Sequence, residues 1–144
     1  MATGHRSTEL IGFLHGLTRQ ALPDKTVIKA RQCLLDALGC GLFGSLQPWS
    51  RILVDDVASE QSAGNCTVIG NGMRLAAPAA ALCNGLSIHG YELDDLIASS
   101  IIHPAAAVIP AALAAGEAHE ASGETVLLGI VAGYEAMHRL AVAM

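Results

Sequence analysis

The residues of this chain that could do chemistry crowd into one stretch. From Asn84 to Pro104 it reads Asn-Gly-Leu-Ser-Ile-His-Gly-Tyr-Glu-Leu-Asp-Asp-Leu-Ile-Ala-Ser-Ser-Ile-Ile-His-Pro. Glu92, Asp94 and Asp95 fall within four residues, with His89 before them and His103 after. An imidazole gains and loses protons near neutral pH, and a neighbouring carboxylate sets its tautomer and raises its basicity. Types and spacing therefore point to general acid–base catalysis. The surrounding sequence is mostly Ala, Leu, Val and Gly. Ionised carboxylates in such surroundings must be paired, hydrogen-bonded or bound to a ligand.

Other readings of the same residues stand beside that one. On an extended or irregular backbone adjacent side chains diverge, so the three acids cannot all face one point. Asp94 and Asp95 are both suited to cap the next segment through its amides. His103 precedes Pro104, which stiffens the backbone and presents the ring from a loop. His89 stands in helical register with Gly85 and Leu86 and reads first as structural. Ligands at 89, 94, 95 and 103 could hold a divalent ion, although their spacing matches no rigid metal pattern. A diphosphate-binding Asp-rich helix would need a further Asp, and Leu96-Ile97-Ala98 supplies none. The sequence has no Gly-Lys-Ser or Gly-Lys-Thr phosphate loop and no serine nucleophile elbow. His5, His15, His119 and His138 lack an acidic constellation, while Glu135 and Arg139 are spaced to pair along a helix.

The elements that must position this stretch read as helices. Ser7 is placed to cap a first helix carrying Leu10, Phe13, Leu14 and Leu17 on one face. Pro23 starts a second, striped by Val27, Ala30, Leu34, Ala37, Leu38 and Gly41. A third runs from Gln47-Pro48-Trp49 to about Ser59. Residues 61–65 are turn-rich, and Cys66 to Gly70 is the one strand-like piece, an extended connection or an edge. Pro78 to His89 reads as a helix of small residues, left near Gly90. Ser99-Ser100 and His103-Pro104 mark a loop, and helix resumes from Ala105 to His119 with Pro110 inside. The last helix covers Thr125 to Met144, with Leu128, Val131, Tyr134 or Glu135, and His138 recurring. Leu140 to Met144 is apolar and has no stop signal, which leads us to expect one partial helical domain over residues 1–144, cut at its C-terminal side.

Composition narrows the rest. Of 144 residues, 52% are hydrophobic and 3% aromatic, so a folded core must be built from small aliphatic side chains. Net charge is −5 with no basic run, which gives no nucleic-acid footprint. Cys33, Cys40, Cys66 and Cys83 form no Cys-x-x-Cys pair, and free buried thiols in a reducing, cytoplasmic compartment are expected. Leu96 to Gly116 carries no Asp, Glu, Lys or Arg. Its Pro, Ser and His residues and its many alanines favour a loop and a core helix over a membrane span.

Several segments together resemble the MmgE/PrpD family, which includes 2-methylcitrate dehydratase and cis-aconitate decarboxylase. They are Ala79-Ala80-Ala81-Leu82-Cys83-Asn84-Gly85, His89, Glu92-Leu93-Asp94-Asp95, His103-Pro104 and Val108-Ile109-Pro110-Ala111-Ala112-Leu113-Ala114. Asp36-Ala37-Leu38-Gly39-Cys40, Val68-Ile69-Gly70 and Gly133-Tyr134-Glu135 with Arg139 extend the likeness over the whole chain. The resemblance implies an all-α, mostly helical large domain, a homodimer, and metal-independent lyase chemistry on small di- or tricarboxylic acids without a cofactor. It also implies that the chain is the N-terminal third of a member, with further His and Lys residues beyond it. Glu92 stands where members commonly have Asp, His103 matches an active-site histidine, and Asp94-Asp95 match the family's Asp pair. The loop from Asp95 to His103 lacks a His or Trp seen in some members.

The expectation is therefore a 2-methylcitrate dehydratase-like lyase. His103, Glu92 and Asp95 are its expected catalytic residues, and Asp94, His89 and Asn84 its substrate-binding residues. No metal, nucleic-acid or membrane partner is expected. Arg and Lys are scarce near the cluster, so helix N-termini or further sequence must clamp the substrate's carboxylates. The alternatives are a non-catalytic helical dimerisation or interaction module, and a small metal-dependent hydrolase.

Overall fold

The computed structural model describes residues 5–60 and 63–143. It is mostly helical. In chain order it has α1 (Arg6–His15), a short 3-10 turn (Arg19–Ala21), α2 (Asp24–Gly44), α3 (Pro48–Glu60), β1 (Ala63–Thr67), β2 (Arg74–Leu75), α4 (Ala77–His89), α5 (Ala105–Ala118) and α6 (Gly123–Val142). α4 and α5 are the centre. One core cluster joins Ala30, Cys33 and Ala37 of α2 to Ile88 of α4, Ala105 and Ile109 of α5, and Ile130 and Val131 of α6. A second joins Val54 of α3 and Cys66, Val68 and Leu75 of the ribbon to Ala79, Ala80 and Cys83 of α4 and Ala114 of α5.

Small residues let these helices touch. Ala37, Ala80 and Ala105 are fully buried. At Gly44 the end of α2 lies so close to α4 that a methyl group would strike the Ser87 carbonyl. At Gly85 an added Cβ would stand 2.8 Å from the Ala106 carbonyl oxygen of α5. That carbonyl is the one Pro110, four residues on and without an N–H, leaves unpaired in its own helix. Proline and glycine thus act together: one frees an oxygen, the other lets a neighbouring backbone reach it.

The expected helices are present, with differences of register. α1 begins at Arg6 with His5 at its N-cap and no side-chain cap, so Ser7 lies inside the helix. In α2 the buried stripe is Val27, Ala30, Cys33, Ala37, Gly41 and Gly44; Leu34 and Leu38 flank it. In α6 Ile130 and Val131 are the buried residues, and Leu128 and His138 lie to the side. Ser122 caps that helix by accepting from the Thr125 N–H at 3.2 Å. The expected turn at 61–65 falls partly on residues outside the description, and strand β1 already occupies Ala63–Thr67. Its partner β2 pairs antiparallel across the turn at Asn71-Gly72, with a bulge between Ala63 and Cys66. Among the described residues this ribbon is the sole sheet.

Leu96–Gly116 is not one helix. Ile97 and Ile102 form an antiparallel bridge around a tight turn, and α5 has 14 residues, about 21 Å at ~1.5 Å per residue and short of a ~30 Å hydrocarbon layer. Among the described residues one helix, α6, is long and apolar enough to cross a membrane. It carries the Glu135–Arg139 ion pair at 2.9 Å and packs Ile130 and Val131 into the core.

Candidate functional site

The chemistry-bearing stretch is the connection between α4 and α5. α4 ends at His89, with Gly90 as its C-cap. The Glu92 N–H then donates to the His89 carbonyl at 2.7 Å and throws the chain into a turn. Glu92 adopts φ 52° and Ile101 φ 51°, left-handed conformations that side chains with a Cβ rarely take. Both flank the acidic residues, and strain of this kind gathers where a fold holds a particular loop shape. The bridge between Ile97 and Ile102 closes the loop and delivers His103 to the start of α5.

Three of the expected residues meet. The Asp94 side chain is wholly removed from solvent, and the Nδ1 atoms of His89 and His103 stand 3.0 and 3.4 Å from its Oδ1. The two imidazole rings are 4.9 Å apart, centroid to centroid. His89 is 44% exposed and His103 27%, so the pair looks out from a buried acid. Protonated at Nδ1, His89 donates to Asp94 Oδ1. Asp94 Oδ2 and His103 Nδ1 are buried without a hydrogen-bond partner among the described residues.

The other three stand apart from that cluster. Asp95, beside Asp94, turns the opposite way. Its Oδ1 accepts the Ala105 N–H at 3.0 Å, which caps α5, and its Oδ2 accepts the Tyr134 hydroxyl at 2.7 Å. Glu92 is exposed on its left-handed turn. Asn84 is buried one turn and more upstream, where its Oδ1 accepts the Ile69 N–H and its Nδ2 donates to the Thr67 carbonyl, both at 2.8 Å. It ties the ribbon to α4.

Tyr134 is the functional neighbour that the sequence reading passed over. Burial, with the bond to Asp95 behind it, pushes its phenol far above the ordinary range. A tyrosine on the apolar face of α6 signals a hidden polar partner, because a buried phenol seeks one. Tyr134 and Ile97 also line a cavity of about 400 Å³ that reaches Lys25 and Lys29 of α2 and His138 of α6. Two cations, distant in sequence, thus share a cavity with Tyr134, the partner of Asp95. Cys40 faces the same acids: burial raises its thiol first, then Asp36, Asp94 and Asp95. Burial likewise raises the thiols of Cys66 and Cys83, and all four cysteines are unpaired.

The sequence model of the MmgE/PrpD N-terminal domain matches residues 8–144. A cis-aconitate decarboxylase-like protein, oryM, from Aspergillus oryzae is 33% identical over 98% of this chain and 31% of its own length. Cis-aconitate decarboxylase of Aspergillus terreus is 32% identical over 96% of the chain and 29% of its length. The human cis-aconitate decarboxylase is 32% identical over 88% of the chain and 27% of its length. The chain spans less than a third of the length of the curated relatives it matches.

Proposed function

The chain belongs to the MmgE/PrpD family, and we propose that it is the N-terminal part of a lyase that moves a proton at a carbon beside a carboxylate of a small di- or tricarboxylic acid. One observation carries this reading: two partly exposed imidazoles converge on one buried carboxylate. Asp94 receives Nδ1–H from His89 and leaves that ring's Nε2 free for substrate, while His103 Nδ1 stands 3.4 Å from the same oxygen. His103 is the proton carrier. His89, expected from sequence as a substrate contact, stands beside it as a second imidazole. Asp95 is reassigned from catalysis to holding the loop, through Ala105 and Tyr134. Glu92, expected to be catalytic, is an exposed carboxylate apart from the cluster and, among the described residues, has no contact that would orient His103. Asn84 keeps no free polar atom for substrate in this arrangement.

The chemistry asked of these groups is modest. In water loss, an imidazole takes the proton from carbon while hydroxide leaves. In decarboxylation, carbon dioxide leaves and an imidazolium returns a proton to the carbon that kept the electron pair. Either role for a positioned imidazole is worth about 10²–10⁴-fold in rate. The names of the relatives favour cis-aconitate as the first acid to test, ahead of 2-methylcitrate. Metal independence, a homodimer and a cytoplasmic location belong to the same proposal.

The test has two arms. Cis-aconitate or 2-methylcitrate is titrated into the chain while the imidazole nitrogens are followed by NMR. A chimera carrying this chain in place of the matching segment of the Aspergillus terreus enzyme is assayed for carbon dioxide and new alkene. Shifts at His89 and His103 with turnover by the chimera are expected. Still resonances with both acids and an inert, folded chimera would overturn the reading. A second reading, an interaction module without catalysis, draws on the exposed Leu35, Leu42, Leu46 and Ile52 of α2, α3 and their connection. It predicts a dimer by light scattering and silence in both arms.

A further inference from the structure

We propose that a cavity between the end of α2, the first turns of α3 and the turn of the ribbon binds a small phosphate ester that carries hydroxyl groups. The cavity holds about 440 Å³, a volume in the range of small-molecule sites. Ser45, Ser50, Arg51, Asp55, Gly70 and, from α4, Ser87 are among the residues that line it. Gly70 lets the ribbon turn close against α2. It adopts φ 87°, and a methyl group there would strike the Ser45 hydroxyl.

One side chain of the lining calls for a ligand. Ser50 is 1% exposed, and its Oγ has no hydrogen-bond partner among the described residues. A buried hydroxyl left that way costs stability, which a bound acceptor would restore. Arg51 is the next residue. Among the described residues it makes no ion pair, although Asp55 stands four positions on along the same helix. Ser50 and Arg51 open α3, a helix of 13 residues that starts at Pro48. The first amides of a helix lack carbonyl partners inside it and form the positive end of its dipole. A hydroxyl donor, a guanidinium and a helix start are the set that a phosphate group takes.

Asp55 decides the rest of the ligand. Its carboxylate repels an anion and accepts from hydroxyl groups, so the phosphate belongs at the first turn and the hydroxyls towards Asp55. The cavity is larger than a phosphate group needs, which leaves room for that second part. The lining includes none of His89, Asp94 and His103, and the inference does not need the lyase reading.

The experiment follows the backbone amides of the 144-residue chain by NMR during titration with inorganic phosphate and with glycerol 3-phosphate, against sodium chloride of equal ionic strength. Saturable shifts are expected at Ser50, Arg51 and Gly70, at lower concentration for glycerol 3-phosphate, with His89 and His103 unmoved. Arg51→Ala and Ser50→Ala should each weaken binding about tenfold, the loss of one hydrogen bond to a charged group. Arg31→Ala, exposed on α2 and outside the cavity, should bind as the parent does. Ser50→Ala removes an idle hydroxyl, so without phosphate it should melt no lower than the parent. A lower melting temperature would mean that the hydroxyl already has a partner, and would overturn the site. Amides that follow ionic strength alone, or equal affinity in all variants, would also overturn it and leave Ser50 to a buried water. Tighter binding of citrate than of glycerol 3-phosphate at these amides would overturn the phosphate class.

Discussion

Two buried polar groups lie within α4 and just past its C-terminal end, and they are built on opposite plans. Asn84 is closed: its carbonyl and amide both meet backbone partners of the ribbon at 2.8 Å. Asp94, just past the helix, is open: two imidazoles approach one of its oxygens, and the other is idle. A satisfied polar group inside a protein specifies a fold. An unsatisfied one leaves a demand that a water, a proton, an ion or a substrate can meet. The same helix therefore carries a fastening at its middle and leads into a reactive group past its end.

The comparison can be broken from the reactive side first. His103→Ala should lower turnover of the chimera by about 10²–10⁴-fold, with the melting temperature of the chain nearly unmoved. A fully active variant would remove His103 from the chemistry. Next comes the fastening. Asn84→Leu leaves the Ile69 N–H and the Thr67 carbonyl buried and unpaired, which should cost about 2–3 kcal/mol in chemical denaturation. The His89 and His103 resonances should stay in place. If they move as well, the two regions are one network.

Smaller effects sharpen it. Tyr134→Phe removes one hydrogen bond to a carboxylate and should cost about 1.5–2 kcal/mol, with faster hydrogen exchange at the Ala105 amide. Alkaline pH reads the same phenol. Its folded-state pKa is raised, so above the unfolded value of about 10 the native state holds a proton that the unfolded state has lost. Stability is then full below that pH and falls above it, by about 1.4 kcal/mol per pH unit for this one group. The thiols of Cys40, Cys66 and Cys83, also raised, add a fall beginning at lower pH. Tyr134→Phe should abolish the later part of the decline and keep the earlier part; an unchanged slope would mean the phenol is not buried as described.

Much of the fold was legible because apolar residues recur at helical spacing over long stretches. The second strand was not, since Arg74-Leu75 is too short to carry a pattern and exists through pairing with β1. The site was legible as a stretch and not as an arrangement. Nothing in Glu-Leu-Asp-Asp says which carboxylate turns inward. That is decided by the left-handed turn at Glu92 and by Tyr134, 39 positions beyond Asp95. Asn84 was expected to touch substrate from its place in a motif, and its two backbone bonds to the ribbon cannot be seen in any local pattern. Lys25 and Lys29 share a cavity with Tyr134 because α2 packs beside α6.

The loop from His89 to His103 also says something about how the molecule comes together. Its reactive groups are neighbours along the chain, whereas the bond that braces it from α6 is distant, Asp95 to Tyr134 across 39 positions, as is the bond that ties the ribbon to α5, Thr67 to Glu117 across 50. Closing short loops costs less entropy than closing long ones, and local contacts speed folding. Pulse-labelled exchange during refolding should therefore find α4 and α5 protected before the ribbon and before the amide of Ala105. The imidazoles would then meet their acid early, in a half-built protein, and the brace from α6 would arrive last to fix them.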